Sequence, residues 1–262
     1  MKLSIIQSTP TFGDINKNIE QLSILIDKIE RIDLIVLPEL ASTGYKFKDR
    51  DEAMVLSERA DDSRFLNFLS DVASNKDCFI VAGFNEREGD LLYNSSVLMG
   101  PTGIVGIYRK LHLFWDEKKI FEPGNMGLPV FDTKIGKIGM LICFDWMFPE
   151  AWRVLALKGV SVIAHPSNLV LPFCQSVIPS YSLINRIFIA TANRLGTEDD
   201  LTFTGKSIIT NPIGETIAYG SSDKTEIVTA EFDIRLATNK KITPENDAFN
   251  DRRSDVYGDF DI

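Results

Sequence analysis

The chain has 262 residues, 44% of them hydrophobic and 25% charged, a balance that suits one large folded core or two modest ones and excludes a disordered tract. Its formal net charge of −9, with no basic run longer than a short pair such as Lys118–Lys119, Lys240–Lys241 or Arg252–Arg253, argues against nucleic acid and anionic membranes as partners, which need a basic face. Three scattered cysteines, Cys78, Cys143 and Cys174, make neither a disulfide framework nor a closely spaced metal site, so no metal or cofactor is expected.

The start MKLSIIQSTPTFGD lacks the long apolar run of a signal peptide, and no stretch reaches the roughly 20 apolar residues that span a bilayer, so a cytoplasmic protein is expected. Residues 2–7 read as a strand. Residues 16–30 read as an amphipathic helix with Ile19, Leu22, Ile26 and Ile29 on one face. A short buried strand follows at 33–37 and a second helix at 63–76. Strands are predicted at 78–84, 91–99 and 104–109, the last two joined by the turn Gly100-Pro101-Thr102-Gly103.

After a polar loop broken by Pro123-Gly124, strands are predicted at 130–133 and 137–143, then a helix at 149–158 with Pro149 in its first turn. A short strand ends at His165, a helix covers 179–186, and strands follow at 187–193, 205–210, 215–219 and 226–232. Residues 233–262 read as a polar tail over the surface or against a partner subunit. With no repeat and no linker, one domain over 1–262 is expected, of layered α/β type with helices covering sheets.

Three segments share one design: IVLPE ends at Glu39, GIYRK at Lys110 and GMLIC at Cys143, each a buried strand-like run closing on a reactive side chain. Functional groups of α/β proteins gather beyond the carboxyl ends of strands. A free thiol, with a pKa of about 8.5, holds little thiolate at neutral pH. A carboxylate such as Glu39 can take its proton, and an ammonium such as Lys110 can hold the negative charge that develops. The backbone N–H of Phe144 would face the oxyanion. Against this stands the plainer reading of Cys143, and more so of Cys78 and Cys174, as buried small hydrophobes. Only two histidines are present. His165 could reach a cleft as the base of a Cys–His enzyme, or join His112 and a cysteine on a metal, but nothing near them supports either.

At these residues the chain resembles the nitrilase superfamily, the carbon–nitrogen hydrolases. The matching pieces, in order, are LPEL at 37–40 with TGY at 43–45, YRKLHLF at 108–114, FEPGN at 121–125, GKIGMLICFDWMFPE at 136–150 and NRIFIATANRLG at 185–196. The resemblance implies a four-layer α-β-β-α sandwich and a triad of Glu39, Lys110 and Cys143. It implies a second glutamate in WDEKKIFEPGN, placed at Glu117 rather than Glu122, that positions Lys110 and substrate. It also implies a homodimer or larger homo-oligomer paired through the helix after the nucleophile and the one near 179–186. The activity implied is hydrolysis of a small amide or carbamoyl amide through a cysteine thioester. Phe144-Asp145 after the nucleophile favours amides over nitriles, which remain the alternative beside a non-catalytic binding role. Tyr45, Phe114, Phe144, Trp146 and Asn168 are candidate substrate contacts by position. Arg153 and Arg194 would favour an anionic substrate if either faced the cleft.

Overall fold

A computed structural model describes residues 1–257. The first half of the chain forms β1 (Lys2–Gln7), α1 (Ile15–Asp27), β2 (Leu34–Val36), α2 (Arg50–Val55), α3 (Arg64–Lys76), β3 (Phe79–Glu88), β4 (Leu91–Gly100) and β5 (Gly103–Arg109). The second half forms β6 (Val130–Thr133), β7 (Gly136–Met140), α4 (Pro149–Leu157), β8 (Val162–Pro166), α5 (Cys174–Asn185), β9 (Phe188–Ala192), the small hairpin β10 (Thr197–Glu198) and β11 (Leu201–Thr202), then β12 (Ile208–Thr210), β13 (Thr216–Tyr219), β14 (Glu226–Glu231) and α6 (Ser254–Tyr257). Two six-stranded sheets result, ordered β14-β1-β2-β3-β4-β5 and β13-β12-β9-β8-β7-β6. Parallel pairs (β1–β2, β2–β3, β7–β8, β8–β9) fill their middles and antiparallel strands close their edges.

Side-chain alternation builds the layers. In β2, Leu34 and Val36 pack with Met140 and Ile163 of the other sheet, while Ile35 and Leu37 pack with Leu22 and Ile26 of α1 and Phe65 and Leu69 of α3. This explains why the segment has no polar face. On the far side of the second sheet, α4 and α5 contribute Trp152, Leu155, Ile178 and Tyr181; the Trp152 and Tyr181 rings stack with centroids 4.9 Å apart. The order of layers is therefore helix, sheet, sheet, helix, the expected four-layer sandwich. The helices start on local signals: Asp14 accepts a hydrogen bond from the Lys17 N–H at 3.0 Å, and Ser63 from the Leu66 N–H at 2.9 Å, caps worth about 1 kcal/mol each.

Several boundaries differ from expectation. β3 continues to Glu88 because β4 pairs with it along its whole length, from Ile80–Met99 to Glu88–Leu91. The strand expected at 205–210 begins at Ile208, since Gly205 and Lys206 adopt positive φ (59° and 55°) in a turn. α5 starts at Cys174, five residues before the expected start at 179; its first turn is anchored by buried Cys174 and Ile178. β7 stops at Met140, three residues short of Cys143. The tail folds back on α5: Lys240 Nζ donates to Arg186 O at 2.9 Å, and Ile234 and Phe249 pack against the core. Residues 258–262 of that expected tail lie outside the described residues. Among the described residues no helix is long and apolar enough to cross a membrane.

Candidate active site

The three strand exits meet. β5 runs in the same sense as β3, because each is antiparallel to β4, so β2 and β5 deliver their C-terminal ends to one edge of the first sheet. After β2 the chain stays bonded to β3: the Leu37 N–H donates to Val81 O at 2.8 Å and the Gly83 N–H to Pro38 O at 3.1 Å. Gly83 lies so close beneath Glu39 that a Cβ there would sit 2.5 Å from Glu39 Cα. Lys110 follows β5 directly, with its N–H on Asn94 O at 2.9 Å. Gly124 of FEPGN seals that exit, donating to Lys110 O at 2.9 Å; a Cβ on it would fall 2.1 Å from Arg109 O. Cys143 opens a 3-10 turn, Cys143–Met147, with φ of 43°, a backbone conformation unfavourable for a side chain that bears a Cβ.

At the centre the Lys110 ammonium is fully buried between two carboxylates, with Nζ 2.7 Å from Glu39 Oε1 and 2.8 Å from Glu117 Oε1. Asn94 Nδ2 also donates to Glu39 Oε1 at 2.7 Å, while Glu39 Oε2 is buried without a hydrogen-bond partner. Glu117 is held from two further sides, by the Tyr45 hydroxyl at 2.7 Å on Oε1 and by the Phe114 N–H at 3.2 Å on Oε2. Burial opposes the Lys110 charge, but Glu117, Glu39 and Cys143 together outweigh it and hold the ammonium above its ordinary pKa. Burial pushes the Glu117 carboxyl up, Lys110 draws it down, and Glu39 raises it further; the upward direction prevails. Glu122, the other candidate in that loop, is half-exposed and lies 3.5 Å from Arg50 Nη1.

The Cys143 thiol is buried, and burial with Glu39 lifts its pKa well above the ordinary value, against the pull of Lys110 and the Asn168 backbone N–H. Its strained backbone is secured from below. His165 Nε2–H donates to Cys143 O at 2.9 Å, and its Nδ1 accepts from the Thr191 hydroxyl at 3.0 Å. Burial lowers the His165 pKa to about 4, so the ring is neutral at pH 7. Asp145 ties the turn to the Lys110 strand: its Oδ2 accepts from the Ile142 N–H at 2.8 Å and from the Tyr108 hydroxyl at 2.7 Å, and its Oδ1 lies 2.7 Å from His112 Nδ1. Both histidines are thus occupied in bracing the turn. Among the described residues no His, Cys, Asp and Glu cluster could hold a metal.

A cleft opens onto Cys143, lined by Phe114, Phe144, Trp146, Asn168 and the stretch 169–171. Four of the five candidate substrate contacts face it. Tyr45 lines a small neighbouring hollow with Phe114 and Glu117, and its hydroxyl turns to Glu117. Glu198 Oε2 accepts from the Tyr45 and Lys46 N–H groups, both at 2.8 Å, and Glu198 pairs with buried Arg194. Arg194 therefore does not reach the cleft. Arg153 does not either, donating instead to Ile184 O at 2.9 Å.

The residue pattern assigned no supporting role in the site to Asn94, Tyr108, Asp145 or Glu198. Tyr108 was within reach, since it precedes Lys110 by two residues and so shares its face of the strand. Asn94 and Glu198 gave no local signal.

Comparison with known proteins places the chain in a family. The chain is 44% identical to a nitrilase of Pyrococcus abyssi over 259 residues, covering 98% of this chain and 99% of the relative. It is 33% identical to a citrullinase of Francisella tularensis over 244 residues, 86% of this chain and 85% of that one. A solved carbon-nitrogen hydrolase from Helicobacter pylori G27 superposes with a TM-score of 0.90 at 27% identity, covering 99% and 97% of the two chains. Residues 2–241 match the carbon-nitrogen hydrolase family, and with two six-stranded sheets meeting at a buried Glu–Lys–Cys cluster, this chain belongs to that family.

Proposed function

We propose that the protein hydrolyses small amides to acid and ammonia, with Cys143 as nucleophile. The observation that carries this reading is the buried contact of Lys110 with Glu39 and Glu117 beside the Cys143 thiol. The thiol rests protonated, and Glu39 Oε2, the carboxylate oxygen without a partner, takes its proton as sulfur attacks the carbonyl carbon. An ammonium has three N–H bonds. Two of those on Lys110 are committed to the glutamates and the third, with the Phe144 N–H, holds the oxyanion. Glu39 passes the proton to the departing ammonia, leaving a thioester. It then takes a proton from the water that attacks the thioester and returns it to the Cys143 sulfur as the C–S bond breaks and the acid leaves. Glu117 keeps Lys110 aimed, and Tyr45 keeps Glu117 aimed.

Relatives named citrullinase and N-carbamoylputrescine amidase support carbon–nitrogen cleavage of amide type. The relative named nitrilase supports a second reading, because the same thiolate adds to a nitrile carbon. A cytoplasmic homodimer joined through α4 and α5 completes the reading; Leu183 and Ile184 stand exposed on α5.

The test is ammonia release from a panel of amides, carbamoyl compounds and nitriles. Cys143→Ala and Cys143→Ser are expected to abolish turnover while circular dichroism shows the fold intact. Substantial activity in both would remove Cys143 from the mechanism.

A further inference from the structure

The cleft over Cys143 has a chemical character that narrows the substrate. No residue lining it carries a charge at neutral pH; its walls are aromatic and aliphatic, with the Asn168 amide as the polar side chain beside the thiol. Lys110 and Glu39 keep one N–H and one oxygen for the reacting carbonyl and the thiol, and the other charged groups nearby are paired. Lys110 is held by two glutamates, Arg194 pairs with Glu198 and lies over the Phe203 ring, and Lys46 lies 3.5 Å from Asp116 and 3.8 Å from Asp200. Away from the reacting centre, a carboxylate on the substrate's acyl chain would find no cation along this cleft, and an ammonium no carboxylate. Burying an unpaired ion is far more costly than burying a neutral group.

Asn168 is the second observation. Its side chain is 2% exposed, and both Oδ1 and Nδ2 are without hydrogen-bond partners. The loop that carries it is fixed, with the Ser167 N–H on Ala192 O at 2.8 Å and the Leu169 N–H on Asn193 Oδ1 at 2.8 Å. A buried amide with both ends unpaired is unfavourable unless something completes it. Its acceptor and donor, side by side, complement the N–H and C=O of another neutral amide. A carboxylate could satisfy only the donor, and an ammonium only the acceptor.

We infer that the substrate is an uncharged primary carboxamide with an apolar aliphatic or aryl acyl group, its amide paired to the Asn168 side chain and its chain lying on the aromatic wall. This rests on the amidase reading above and adds selectivity against acids and amines to it. Each methylene buried should raise kcat/KM by about fourfold until the cleft is full. A carboxylate or ammonium at the chain's far end should lower it by about 100-fold or more.

The experiment measures kcat/KM for straight-chain amides of increasing length, an aryl-substituted amide, and ω-carboxyl and ω-amino amides of matched length, for the native chain and Asn168→Ala. The expected result is a rise with apolar length, a deep loss for both charged series, and a loss of about tenfold or more across the neutral series in Asn168→Ala, with iodoacetamide labelling of Cys143 retained. Charged amides cleaved as well as neutral ones would overturn the inference and leave the thioester mechanism standing. Native kinetics in Asn168→Ala would remove Asn168 from recognition. If no amide released ammonia and none left an acyl group on Cys143 by mass spectrometry, the amidase reading itself would fall, and this inference with it.

Discussion

Lys110 and His165 show how single side chains set the charge state of the site. Lys110 is buried as a cation because two carboxylates and their own supporting donors surround it, so removing one partner leaves an uncompensated charge. His165 shows the opposite solution, a ring kept neutral so that it can donate to Cys143 O and accept from Thr191. Its pKa of about 4 in the folded chain lies below the ordinary 6.5, so as pH falls the unfolded chain takes up this proton first. The stability conferred by neutral His165 is therefore complete above about pH 6.5 and is lost as pH falls toward 4, by about 3 kcal/mol over that window. Denaturant titrations at pH 7 and pH 4.5 should show this decline, and His165→Gln should flatten it. An unchanged slope in the variant would assign the acid sensitivity to other groups.

At the scale of elements, the reactive side chains are set by what lies under the strand exits. Gly83 on β3 and Gly124 in FEPGN are the two places where backbone must pass within van der Waals contact of the segments bearing Glu39 and Lys110. Gly83→Ala should push Glu39 off its position and Gly124→Ala should displace Lys110, because the clashing atoms are backbone and cannot swing away. We expect each variant to lose at least about tenfold in kcat and about 1–3 kcal/mol of stability. Steady-state kinetics with thermal unfolding would check this, and native kinetics in Gly83→Ala would show that the β2 exit can yield. The β10–β11 hairpin works at the same scale. Glu198 grips the Tyr45 and Lys46 backbone, so a segment some 150 residues downstream helps to hold the loop that reaches Glu117.

For the whole molecule, the sandwich buries both faces of its first sheet and leaves an apolar outer edge on α5, where Leu183 and Ile184 are 42% and 46% exposed. Self-association through this face is expected to cover them. Sedimentation velocity should find a dimer or larger assembly for the native chain, with Ile184→Asp shifting it toward the monomer. A native chain that sediments as a monomer at micromolar concentration would contradict the pairing.

Local content was legible in the order of residues. Alternation and helical periodicity gave most strands and helices, and the abrupt ends of IVLPE, GIYRK and GMLIC marked Glu39, Lys110 and Cys143, because a buried run closing on a reactive group is visible in one dimension. The choice of Glu117 over Glu122 came from family resemblance, and only the fold shows why the two differ: one turns inward to Lys110, the other outward to Arg50. Tertiary structure alone decided what depends on distant segments meeting. This includes the Asn94 and Tyr45 supports, the clamp of Asp145 on Tyr108, the capture of Arg194 by Glu198 and the uncharged cleft around Asn168. The physical reason is that a hydrogen bond or an ion pair depends on a few ångströms of space, and the chain order carries no record of which remote residues will share it.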